Sequence, residues 1–249
     1  MLTDPYFYLV AVPAVILMGL AKGGFAGVGA MAMPLLALVI SPVQGAAILL
    51  PVLLVQDAIG VWAFRRDLDR SILALMLPSA AIGIALGYLL AAEVSATGVL
   101  AALGIISIAF AAYRLWISRG KQPAPKHASP IVGGLLGIAS GFTSQVAHAG
   151  QPPFQMYVLP KRLPPATLVG TTAIFFATVN WLKVPAYYAL GQFTRENLTA
   201  SAIMMPVAIA STFAGVWLVR RVNAERFYTF IYCMMLVVGV QLLWEAATQ

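Results

Sequence analysis

Charge is what this chain has least of. Asp, Glu, Lys and Arg make up 9% of its 249 residues, against about 25% in soluble domains, and that deficit excludes an ordinary soluble globular protein. Carboxylates are the scarcer sign, with eight Asp and Glu against fifteen Lys and Arg. Cysteine occurs once, at Cys233, so disulfide frameworks and cysteine metal sites are excluded; within its apolar run it reads as a packed core residue. Two histidines and no ligand spacing leave no metal site. No nucleotide-binding loop is present, so ATP drive within the chain is excluded and no cofactor is expected. The start, "MLTDPYFYLV", carries Asp4 and no basic residue, which does not read as a cleavable signal peptide.

What is abundant is apolar sequence. Hydrophobic residues make up 61% of the chain and the mean hydropathy is +0.90. Apolar runs recur at or near the ~20 residues that span a bilayer, predicting an all-α, polytopic helical membrane protein whose first partner is the lipid bilayer. Net charge of +7 sits in short loops, so membrane topology accounts for it and nucleic acid does not. Helices are predicted over 43–64, 71–91, 96–117, 166–189, 198–219 and 225–246, punctuated by charged or turn-forming stretches such as "RRDLDR", "SRGKQPAPKHASP" and "RRVNAER". Two longer stretches, 6–40 and 130–160, have Gly-rich or polar middles and do not read as single helices.

Loop charge decides how those two stretches run. If each is a hairpin that enters and leaves on one side, twelve of the fifteen basic residues face the cytoplasm; only Arg195 lies outside, with Lys22 and Lys183 at membrane depth. If each crosses once, Lys161, Arg162, Arg220, Arg221 and Arg226 move outside. The positive-inside rule favours hairpins, re-entrant or as two tight crossings, and places both termini on the non-cytoplasmic side.

An internal repeat accompanies this pattern. Ala74, Met76, Pro78, Gly87, Leu90, Leu115 and Trp116 match Ala202, Met204, Pro206, Gly215, Leu218, Leu243 and Trp244, all displaced by 128. Pro42 and Val61 match Pro165 and Val184 at 123, and Gly24-Phe25 matches Gly141-Phe142 at 117. The chain divides into a first repeat (1–120), a cytoplasmic linker (121–129) and a second repeat (130–249), each a broken or re-entrant hairpin plus three transmembrane helices. Three crossings being odd, the second repeat is inverted relative to the first. Inverted repeats are a transporter signature, with a site near midplane where they meet.

The hairpin middles fall at residues 23 and 145, so "AKGGFAG" and "SGFTSQVAHAGQPP" are the predicted tips. Non-helical backbone is tolerated at depth when it is buried in protein or lines a cavity. Gly23, Gly24, Gly27 and Gly141 permit the turns and close approach of a guest. A half-helix starting after a turn presents free N–H groups to an anion. Lys22 adds full positive charge; Thr143, Ser144, Gln145, His148 and Gln151 add donors, and neither tip holds a carboxylate. The combination points to an oxyanion. Gly23 and Gly27, Gly83 and Gly87, and Gly133, Gly137 and Gly141 also have the small-xxx-small spacing of plain helix packing, and small-residue faces permit a homodimer.

Two charges lie at depth outside the tips. Asp57, in "VLLVQDAIG", falls roughly 12 Å from the cytoplasmic end of its helix, and Lys183 sits in the outer half of its own. Asp57 aligns with Asn180 in the repeat. Two readings stay open: a structural Asp57–Lys183 ion pair, or proton coupling through Asp57 with Lys183 attracting the anion. His148 is the other proton-relay candidate.

With tips and repeat in view, the chain resembles the sulfite exporter TauE/SafE family, the sulfonate-permease type of membrane transporter. The likeness rests on "GLAKGGFAGVGAMAMPLL", "GLLGIASGFTSQVAHAGQPPFQMYVL" and "LPPATLVGTTAIFF", the last resembling the family's Pro-x-x-Ala followed by Gly-Thr-Ser/Thr. The first half departs from it, with Ala46-Ala47 where the second has Gly170-Thr171. The resemblance implies an inner-membrane carrier for sulfite or organosulfonates, supposed to be proton-linked. By matching motif positions it adds Gly170, Thr171 and Thr172 to the site-lining glycines.

The sequence thus reads as a secondary transporter of a small oxyanion, sulfite or an organosulfonate, working by alternating access. An anion channel of the same fold and a non-transporting membrane scaffold are the alternatives. An enzyme built on Ser144 and His148 is disfavoured: nothing nearby orients the histidine, and Gly-x-Ser-x-Gly is absent.

Overall fold

The computed structural model describes residues 5–25, 29, 32–37, 39–40, 42–90, 96–117, 129–147, 150–189, 191, 193–221 and 223–248. Its elements are α1 (Pro5–Lys22), α2 (Ala32–Ala37), α3 (Pro42–Phe64), α4 (Arg70–Leu89), α5 (Ala96–Ile117), α6 (Pro130–Ala147), α7 (Gln151–Val158), a 3-10 turn (Leu159–Lys161), α8 (Pro165–Ala189), α9 (Arg195–Val219) and α10 (Ala224–Thr248). No strand occurs among the described residues, and six of the helices there are long and apolar enough to cross a membrane.

Local chemistry sets the helix starts. Pro5, Pro42, Pro130 and Pro165 open α1, α3, α6 and α8, where a missing N–H costs nothing and φ is already helical. Asp69 caps α4, its carboxylate accepting from the N–H groups of Ser71 and Ile72. Thr194 caps α9 by accepting from Asn197 N–H. Arg162, left-handed at φ 55°, ends the 3-10 turn and re-aims the chain into α8.

Both long stretches fold back on themselves. After α1 the chain returns so closely that a Cβ on Gly29 would meet Ala21 at 2.8 Å. After α6, the Ser140 hydroxyl donates to the Gly150 carbonyl at 2.6 Å, and Tyr157 near the end of α7 lies against Gly133 near the start of α6. The returning helices are short, six residues in α2 and eight in α7. Lys22 closes α1 beside Gly60, one turn from the end of α3, so the first hairpin reaches far along its neighbour.

The halves are woven together. α1 packs on α9 with Gly19 against Ser211 and Gly23 against Gly215; α6 packs on α4 with Gly141 against Ala80 and Gly83 against Ile138. α3 packs on α8, and α5 runs antiparallel to α10, with Gly104 beside Leu243 and Phe110 beside Tyr232. Exchanging the halves of the chain maps this set of pairs onto itself.

The cores follow the same weave. One joins Phe7, Val15, Ile48, Val52 and Met204 from α1, α3 and α9; another joins Phe64, Met76, Phe154, Phe175 and Tyr232 from α3, α4, α7, α8 and α10. Outside them lies a sheath of exposed apolar side chains that includes Leu9, Trp62, Ile105, Trp181, Tyr188 and Trp244, the surface a protein presents to lipid rather than to water. Cys233 lies on this sheath, exposed rather than packed in the core as its sequence context suggested; both faces are apolar, so hydropathy did not separate them.

Candidate functional site

A cluster of charges sits where the end of α1 meets α3 and α8. Lys22 Nζ lies 2.6 Å from Asp57 Oδ1, with Asp57 1% exposed and Lys22 19%. Asn180 on α8 donates from Nδ2 to Asp57 Oδ2 at 2.7 Å. One turn farther along α8 stands Lys183, 4% exposed. It is close enough to interact electrostatically with both Lys22 and Asp57. Among the described residues it has no hydrogen bond and no ion pair.

The pairing settles one of the two open readings. Asp57 takes Lys22 as its ion-pair partner, and Lys183 is left over. The α1 terminus arrives beside Gly60, one helical turn from Asp57, and its ammonium folds back into the protein instead of snorkelling outward. The cluster holds two ammonium groups against one carboxylate. Burying charge without a counter-charge costs several kcal/mol, so the charged form of the second lysine needs a negative partner.

Aromatic packing ties the second hairpin to the cluster. Lys22 Nζ lies 5.8 Å from the centroid of the Phe176 ring, a cation–π distance. Phe176 packs edge-on against Phe154 at 5.4 Å, and Phe154 stacks on Phe175 at 4.5 Å. Phe154 belongs to α7, so the short return helix of the second hairpin reaches the lysine of the first through one ring.

A cavity of about 360 Å³ opens between α3 and α8. Asp57 lines it with Ala58, Val61, Ile174, Ala177, Thr178 and Trp181, and the exposed Trp181 stands at its edge. Apart from Asp57 and Thr178 its walls are apolar, so it leaves open space beside an otherwise enclosed carboxylate. Beside Asp57, Gln56 is fully buried; its amide donates to the Val15 carbonyl at 3.4 Å and its oxygen has no hydrogen-bond donor.

The other predicted residues are distributed as follows. Gly23 and Gly24 face α9: a Cβ on Gly23 would come within 2.6 Å of Gly215, and Gly24, at φ 139°, lies against Val219. Gly141 faces the Ala80 carbonyl, and Gly170 the carbonyls of Phe64 and Asp67. Thr143 and Thr172 donate to the carbonyls of Ala139 and Leu168, one turn back in their own helices. Thr171 donates to Thr167 O and accepts from Asp69 N–H, bracing the start of α4. Ser144 is buried next to Gly150, Gln145 packs over Gly87, and Gln151 opens α7, half-buried. Gly27 and His148 lie outside the described residues.

Lys22, Asp57 and Lys183 are therefore brought together, while Gly141 and Gln145 lie along the α6–α4 contact and Ser144 lies against Gly150. Asn180 and Phe176 complete the cluster without having been singled out as site residues. The signal for Asn180 was its alignment with Asp57; Phe176 gave none, being one phenylalanine in an apolar helix.

The sequence model of the family described as "Sulfite exporter TauE/SafE" matches residues 11–242, nearly the whole chain. The chain belongs to the sulfite exporter TauE/SafE family. This TauE/SafE protein is accordingly a multi-pass membrane protein of a transporter family of the sulfite/sulfonate type, and not an enzyme. No curated protein and no solved structure matches it.

Proposed function

We propose that this TauE/SafE protein is a secondary transporter that moves sulfite or an organosulfonate across the cell inner membrane by alternating access. The observation that carries the reading is Lys183, a buried lysine with no ion-pair partner among the described residues, beside a lysine–carboxylate pair. A small oxyanion supplies the missing charge and accepts hydrogen bonds on several oxygens at once. Its neighbours Lys22 and Asn180 bring further donors to the same place.

The exchange of packing partners between halves supports inverted repeats, with the hairpins entering from opposite faces and both termini outside the cytoplasm. Such repeats expose one central site to each side in turn. Asp57 and His148 are the proton-coupling candidates. The surroundings of Asp57 fit that role, since it is paired with the cluster's lysine and lines a cavity.

Purified protein in liposomes preloaded with labelled sulfite tests this. Saturable, protein-dependent efflux that accelerates with unlabelled sulfite on the other side is expected. Absence of flux for sulfite and for small sulfonates at every imposed pH gradient would overturn the reading.

A further inference from the structure

The cluster also specifies the charge of what it binds. Resting on the anion-transport reading, we propose that it accepts oxyanions bearing one negative charge, and accepts a divalent one only with one extra proton, carried on Asp57.

The ionisable groups around the cluster are few enough to count. α1 contributes Lys22, α3 contributes Asp57, and α8 contributes Lys183 with Tyr187 one turn beyond it; a phenol is neutral at ordinary pH. Of the other helices packed on α3 and α8, α4 carries Arg70 at its start and Tyr88 near its end, α9 carries Arg195 and Glu196 at its start, and α6 carries none. Lys22 and Asp57 are the charges that act on Lys183. With both lysines protonated, the state that an anionic guest stabilises, the two ammonium groups and one carboxylate sum to one excess positive charge.

A monovalent guest cancels that excess. A divalent guest leaves one negative charge in a low-dielectric interior, a cost of the kind that moves protons instead. Asp57 is the group placed to take the proton. Among the described residues its Oδ1 has no hydrogen-bond partner and is held by the Lys22 ammonium, whereas Oδ2 keeps the Asn180 amide. The carboxylate lines the cavity of about 360 Å³, which leaves it room to change partner. Protonation of Oδ1 releases Lys22 to face the guest beside Lys183. The carboxylate is therefore an internal stand-in for the anion, and of sulfur oxyanions the site favours hydrogensulfite and sulfonates over sulfate.

Isothermal titration of the full-length protein near neutral pH decides this, with methanesulfonate as the monovalent probe and sulfate as the divalent one. Each is titrated in two buffers of different ionisation enthalpy, so that protons taken up are counted. Methanesulfonate is expected to bind about tenfold or more tightly than sulfate, and sulfate to bring about one more proton per molecule bound. In Asp57→Asn the preference reverses and the extra proton disappears. Equal affinities with equal proton counts, or a preference unchanged in Asp57→Asn, would overturn the proposal while leaving transport standing. Failure of both anions to bind would remove the transport reading with it. Should Asp57→Asn not fold, the proton difference in the native protein decides alone.

Discussion

Asn180 donates a hydrogen bond to Asp57 at 2.7 Å, and the proposed repeat puts the two residues, 123 apart in sequence, at equivalent positions. α3 and α8 thus meet at matching points, and the pair of matched residues is polar on both sides but charged on one. That asymmetry gives the centre its chemistry: the carboxylate attracts Lys22, the amide orients the carboxylate, and Lys183 is left without a counter-ion.

Breaking the Lys22–Asp57 pair from either side strands a charge. Lys22→Met and Asp57→Asn are each expected to cost about 3 kcal/mol, the lower end of the range for buried pairs, because Lys22 retains some exposure. The double variant is expected to recover most of that stability, since no stranded partner remains, yet to lose flux. Thermal melting of the three variants in detergent, beside liposome efflux, checks both halves of the prediction.

Lys183 behaves oppositely if its role is to bind an anion. Removing an unpaired buried ammonium relieves a desolvation cost, so Lys183→Met is expected to melt at the native temperature or above it. Anion binding is expected to fall by at least about tenfold, the loss of a charge-assisted contact. Destabilisation with unaltered binding would make the lysine structural.

The packing glycines answer to shape. A methyl on Gly141 collides with the Ala80 carbonyl, so Gly141→Ala forces α6 and α4 apart at a cost of about 1–3 kcal/mol. Gly24→Ala meets Val219 and in addition holds a left-handed φ unsuited to a Cβ. Both are expected to lower the melting temperature. The affinity of whatever protein remains folded should change little.

Asp69 carries a pH signature at the start of α4. Partial burial pushes its carboxyl up, but hydrogen bonds from the Ser71 side chain and from the Ile72 and Ser71 backbone, with Lys161 nearby, outweigh that and hold it below the ordinary value. A depressed folded-state value means stability that is present above the unfolded-state value and lost as pH falls through the folded one. Asp69→Ala is expected to cost about 1 kcal/mol near neutral pH. The gap between native protein and Asp69→Asn should close in acid, as melting curves across pH will show.

Much of the architecture was legible because lipid leaves few choices. Charged loops must fall between apolar helices, and "RRDLDR" lies between α3 and α4 as "KRLPP" precedes α8. Lysines and a carboxylate inside apolar runs marked the site for the same reason. Which lysine meets Asp57 was not legible, because both lie at depth and only tertiary placement ranks them. Nor were the duties of the hydroxyls: Thr143 and Thr172 in a helix always have a carbonyl one turn back to bond. For Gly23 and Gly141, a glycine that admits a neighbouring helix and one that admits a guest look alike in sequence.

The exchange of partners between α1–α9 and α6–α4 has a mechanical consequence. Any rigid body built on such a contact takes a hairpin from one half of the chain and a helix from the other. A cut between α5 and α6 would therefore yield two fragments, each carrying exposed glycine faces whose mates sit on the other. Co-expressed, such fragments have every reason to reassemble; expressed singly, neither has a finished surface to fold against.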